Sequence, residues 1–193
     1  MEQTTIKQNI QKLVLAAMLM AVGLVLPFFT GQIPQIGSML LPMHLPVLVC
    51  GLICGWQYGA IVGFILPLFR HMLFAMPPMP TCISMAFELA AYGAIVGFVY
   101  NHSKWKCIVS LYRSLLIAMI GGRIIWGMAQ VVVLGVNGKA FTWQMFMAGA
   151  FLNAIPGIIF QLIFIPALMV ALNKTGLVPF HQKQKAADQV VEV

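Results

Sequence analysis

Glu88 is the one acidic residue between Glu2 and Asp188, and it stands in a long apolar region that also holds His44, Arg70, His71, Arg123, Gln130 and Asn153. An ionisable side chain at membrane depth is costly, so it is by default a hypothesis of a site. A lone carboxylate among arginines can form a buried ion pair, carry a proton, or balance a cationic cluster that binds an anion. Catalysis fits less well. Ser84 and Glu88 at i, i+4 are the nearest approach to a nucleophile with a partner, and no histidine shares their stretch. Cys50, Cys54, Cys82 and Cys107 have neither CxxC spacing nor a local histidine, which argues against a zinc site or a disulfide framework. They read as small packing residues. No catalytic residue, metal or cofactor is expected, and the chain is not expected to be an enzyme.

Each candidate also has a purely structural reading. Glu88 can simply neutralise Arg70 or Arg123. Arg70 and His71, near a span end, can snorkel, whereas Arg123 reaches neither surface easily. His44, Gln130 and Asn153 can bond helix ends or neighbouring helices. Trp143 suits an interfacial belt, and Trp126 a core position.

The elements that must position these groups follow from composition. The 193 residues are 61% hydrophobic and 8% charged, with a mean hydropathy of +0.95, more than a soluble core of this size can hide. The apolar runs are too long for the short alternating strands of an outer-membrane barrel, so the fold class is an all-α integral membrane bundle. Six spans are expected, at about Lys7–Phe28, His44–Trp56, Tyr58–Phe74, Cys82–Tyr100, Ile108–Val136 and Trp143–Leu172, with the second short for a straight crossing. Residues 1–175 form the membrane domain and 176–193 a polar tail. The net charge of +7 reads as a topology signal rather than a nucleic-acid surface, because the basic residues flank spans. Lys7, Lys12, Lys104, Lys106, Lys174, Lys183 and Lys185 fall on one side against Lys139 on the other, which places both termini in the cytoplasm. The first segment resembles a signal peptide without a cleavage site and is read as a retained helix.

At 1.5 Å per residue, Glu88 should lie about 9 Å below the outer start of its span and Arg70 about 6 Å below the outer end of its own. Arg123 falls near the midplane, with Trp126 and Gln130 on its face. His44, Arg70, Glu88, Arg123 and Asn153 would then share the outer half, with Tyr92, Trp126, Trp143 and Phe74 as aromatic walls of a polar pocket. Two arginines against one glutamate would leave a positive excess, suiting a ligand with a carboxylate, a phosphate or many acceptors. Small residues recur at spacings of four: Gly51 and Gly55, Gly59 and Gly63, Gly93 and Gly97, and Ala17 and Ala21, Ala86 and Ala90, Ala150 and Ala154. Such pairs let helices approach closely, and at least one could face a partner protein.

With six spans in about 190 residues, a long first outer loop, LAAMLMA in span 1 and the segment LPMHLPVLVCGLICGWQYGAIVGFILPLFRHMLF, the chain resembles the substrate-binding S components of energy-coupling factor (ECF) vitamin importers, in the riboflavin, pantothenate and pyridoxine-type branch. The resemblance covers residues 7–173. It implies a bacterial plasma-membrane protein that binds a small water-soluble vitamin in its outer half, beneath closing loops. It further implies docking through Ala17 and Ala21 onto a coupling subunit powered by two cytoplasmic ATPases, with release inside after the module tilts. The chain carries no GxxxxGK[ST] loop, so ATP hydrolysis would fall to those partners. The positive excess favours pantothenate as substrate, with His44, Arg70, Glu88, Tyr92, Arg123, Trp126, Gln130 and Asn153 as contacts. Pyridoxine or riboflavin remain alternatives. So does a stand-alone secondary transporter with Glu88 as proton site, although no internal repeat supports it.

Overall fold

The computed structural model describes residues 2–30, 41–103, 105–136, 142–150 and 154–174. Asn153, the basic residues Lys104 and Lys139, the connections at 31–40 and 137–141 expected on the outer side, and the tail at 176–193 lie outside them. All the elements described are helices: α1 (Glu2–Val25) running into a short 3₁₀ turn (Leu26–Thr30), α2 (His44–Cys54), α3 (Trp56–Phe74), α4 (Met79–Asn101), α5 (Ile108–Val136), α6 (Trp143–Ala150) and α7 (Ile155–Lys174). Five segments are long and apolar enough to cross a membrane: Ile6–Phe29, α3, α4, α5 and Ile155–Asn173. The expected single span over Trp143–Leu172 is instead two helices. Pro156 accounts for the second start, since a proline in the first helical turn gives up an N–H that has no partner there anyway.

α2 is the axis of the bundle. It is apolar on all sides and nearly all of its residues are buried, the pattern of a helix enclosed by protein. Its 11 residues span only about 16 Å, half of a bilayer's hydrocarbon core. α1, α3 and α4 pack around it, and α7 touches it as well. Gly55 separates α2 from α3 at φ 105, a backbone conformation that glycine adopts without strain. It therefore serves as a break and not, with Gly51, as a packing pair.

α3 and α4 form the most extensive pairing in the bundle. A Cβ on Gly93 would strike the backbone of Gly59, and one on Gly63 the backbone of Leu89, so these glycines permit the contact of one helix backbone with the other. Their antiparallel register places Gly59 opposite Gly93 and Gly63 opposite Leu89. Nearer the turn that joins the two helices, the Cys82 thiol donates to the Pro67 carbonyl at 3.3 Å.

Below the site lies an apolar layer in which Leu45 and Leu48 of α2, Tyr92 and Val96 of α4, Leu115, Ala118 and Met119 of α5, and Ile165 and Met169 of α7 pack together. This layer forms the floor for the polar groups above it.

Candidate functional site

Four helices of the apolar layer each carry a buried polar side chain one turn away. His44 precedes Leu48 by four residues, Glu88 precedes Tyr92 by four, Arg123 follows Met119 by four and Gln161 precedes Ile165 by four. Side chains at i and i+4 share a helix face, so these four occupy the inward stripes of α2, α4, α5 and α7.

Three of the four converge. Glu88 Oε1 lies 2.9 Å from Arg123 Nη1 and 3.3 Å from His44 Nε2, with all three side chains almost wholly buried. The carboxylate oxygen is within ion-pair range but outside the angular range of a directed hydrogen bond from either partner. The Tyr92 ring meets the His44 imidazole edge to face, with centroids 5.0 Å apart, and its hydroxyl donates to the Met119 carbonyl at 3.5 Å. Gly122 makes room for that ring, since a Cβ there would come 2.6 Å from Tyr92 Cδ2.

The arrangement leaves donors over. Arg123 Nε and Nη2, both ring nitrogens of His44 and Gln161 Nε2 are buried and make no hydrogen bond among the described residues. Buried polar groups are nearly always paired, so five nitrogens without a hydrogen bond on the inward stripes of three helices are chemically informative. Nε and Nη2 are the two nitrogens on one edge of the planar guanidinium, the fork that accepts a carboxylate in two parallel hydrogen bonds. Nη1, on the other side, is held by Glu88.

Arg70 is not part of this cluster. It donates from Nη1 to the Leu24 carbonyl at the end of α1, 2.7 Å away, and its guanidinium stacks near Phe28 and Phe74 at 5.2 and 5.6 Å. The register of α3 against α4 gives the reason: it brings Arg70 level with Cys82, about 9 Å along the helix from Glu88. The expected neighbourhood of Arg70 and Glu88, and the excess of two arginines over one glutamate, are corrected to one arginine against one glutamate. His71 likewise serves the turn between α3 and α4, with Nδ1 2.7 Å from the Pro77 carbonyl.

Gln130 donates from Nε2 to Ser84 Oγ at 3.1 Å, and Ser84 Oγ donates to the Thr81 carbonyl at 3.0 Å, tying α5 to the first turn of α4 one turn from Glu88. Trp126 lies half-buried between α5 and α6, its ring centroid 6.3 Å from that of Phe146 and against Gly149. Ala17 and Ala21 are exposed on α1, on the side of Leu13, Val14, Met18 and Val25, while Ala16 is buried in the bundle. Gln161 is the residue that sequence reasoning missed. Its signal is a lone amide in the inward stripe of an apolar helix, with Ile158, Ile165 and Met169 around it.

A family model for the substrate-specific component of ECF transporters matches residues 11–172. No curated protein and no solved structure matches the chain.

Proposed function

The chain belongs to the substrate-specific components of ECF transporters, and from that premise we propose that it is the high-affinity binding subunit of an ATP-driven importer for pantothenate. Its membrane-embedded, multi-helix body fits a protein that captures a small molecule and hands it to the other subunits of the transporter. The observation that carries the substrate is the Nε–Nη2 edge of buried Arg123, which makes no hydrogen bond among the described residues and suits a carboxylate. Pantothenate brings that carboxylate, hydroxyl and amide oxygens for further donors, and a dimethyl group for apolar packing. His44 and Glu88 hold the guanidinium in place, Tyr92 forms the floor, Trp126 and Gln130 line the outer approach, and Asn153, outside the described residues, is retained as a further substrate contact. Arg70 acts at the rim as a brace for the end of α1.

In this reading α2 counts as a sixth, short span, both termini are cytoplasmic, and residues 1–175 are the membrane domain ahead of a polar tail. The membrane is the bacterial plasma membrane. The partners are a coupling subunit, docked at Ala17 and Ala21, and two cytoplasmic ATPases. The deciding experiment is isothermal titration of the purified protein with pantothenate, pyridoxine and riboflavin. Tight binding of pantothenate alone is expected, and a preference for either of the other two reassigns the substrate. Uptake by the isolated chain driven by a proton gradient, without ATPases, would replace the importer reading with a secondary transporter that uses Glu88.

A further inference from the structure

We infer that Gln161 is a specificity-determining contact, donating from Nε2 to an uncharged oxygen of the substrate while Arg123 takes the carboxylate. The inference rests on the reading of this chain as a pantothenate-binding subunit and adds a residue and a division of labour to it.

Two observations place Gln161 in the interior beside the site. It stands on the inward stripe of α7, one turn from Ile165, which packs into the same apolar layer as Leu48, Tyr92 and Met119. α7 contacts both α2 and α5, the helices that carry His44 and Arg123. Gln161 therefore faces the same interior as the His44–Glu88–Arg123 cluster, on a helix that touches two of the three helices that carry it.

Its chemistry defines the role. Gln161 is 1% exposed, and its Nε2 makes no hydrogen bond. An amide that served only to lock α7 against a neighbour would have spent its donor on that neighbour. A neutral donor also differs from Arg123 in what it selects. A guanidinium fork favours a planar anion, whereas an amide N–H pairs equally well with a carbonyl or hydroxyl oxygen.

Two probes separate these roles: pantothenate, and pantothenyl alcohol, which carries a hydroxymethyl group in place of the carboxylate. Wild-type protein should prefer pantothenate. Arg123→Met should abolish that preference, and Gln161→Met should weaken both probes by the same factor, about tenfold to a hundredfold. The melting temperature of ligand-free Gln161→Met should equal or exceed that of wild type, because the substitution removes a buried unpaired donor. Gln161→Leu serves as the second variant should the first fold poorly. Unchanged affinity in a folded Gln161 variant, loss confined to pantothenate, or a drop of several degrees in ligand-free melting temperature would each overturn the inference alone. Wild-type protein that binds neither probe overturns the pantothenate reading and this inference with it.

Discussion

The unpaired edge of Arg123 and its contact with Glu88 make opposite demands on mutagenesis. Removing one member of a buried pair strands the other, at a cost of about 3–5 kcal/mol, whereas removing both with apolar groups of similar size is often neutral. Glu88→Gln should therefore lower the melting temperature more than the double variant Glu88→Gln/Arg123→Met, as thermal unfolding in detergent will measure; equal destabilisation would mean that the pair is not coupled. On the proposed reading, Arg123→Met should weaken pantothenate binding roughly 100-fold or more, since the carboxylate would lose two charge-assisted hydrogen bonds. Unchanged affinity in titration would reduce the cluster to a structural ion pair. Glu88 and Arg123 were legible in the sequence because charge in an apolar run is conspicuous and both have to find partners. Arg70 was equally conspicuous and was placed wrongly. Depth from a span end gives the level of a residue but neither the register between helices nor the free carbonyl of Leu24 that captures the guanidinium. Gln161 was overlooked for the opposite reason, because an uncharged amide in an apolar helix carries little sequence signal.

At the level of the elements, the register that separates Arg70 from Glu88 is set by glycine. Gly93 meets the backbone of Gly59, and a Cβ on Gly51 would lie 2.5 Å from the Gly93 carbonyl oxygen, so three helices share one contact without side chains between them. Backbone atoms cannot swing aside as a flexible side chain can. Gly93→Ala should cost about 1–3 kcal/mol or more and, by spreading α4 from α2 and α3, shift Glu88 away from His44. Loss of both thermal stability and pantothenate affinity is expected; a stable, fully binding Gly93→Ala protein would show that the helices have slack. Arg70→Met offers the contrast. It removes a hydrogen bond from a charged group, worth about 1.5–3 kcal/mol, and loosens the end of α1, yet affinity should stay within a few-fold, because the side chain points to Leu24 and not to the cluster. The small-residue spacing announced these close approaches in the sequence, but it could not distinguish Gly55, which breaks the chain between α2 and α3, from the glycines that pack. The split of the last apolar run into α6 and α7 was likewise hidden, since hydropathy is continuous across Pro156 and only the proline marks the boundary.

For the whole molecule, the polar cluster and the exposed face of α1 belong to different surfaces, and that separation permits a test of function apart from binding. His44, Glu88, Arg123 and Gln161 all face the interior, whereas Ala17 and Ala21 face outward from a helix whose buried side is formed by Ala16 and Gly23. Small residues on an outward face lower the relief of the helix and let another backbone approach, a property with no use against lipid chains but of use against a helix of the coupling subunit. A bulky ring at Ala17 should therefore obstruct assembly without touching the site. Ala17→Trp is expected to bind pantothenate with wild-type affinity, to fail to copurify with the coupling subunit, and to abolish uptake in cells that express the complete transporter. Met18→Trp, which adds a ring to an already bulky exposed position one residue along α1, should be milder on both counts and controls for general disturbance of the helix. If Ala17→Trp loses affinity while remaining folded, α1 contributes to the pocket and the two surfaces are not separate. If it binds and transports normally, docking uses another face of the bundle.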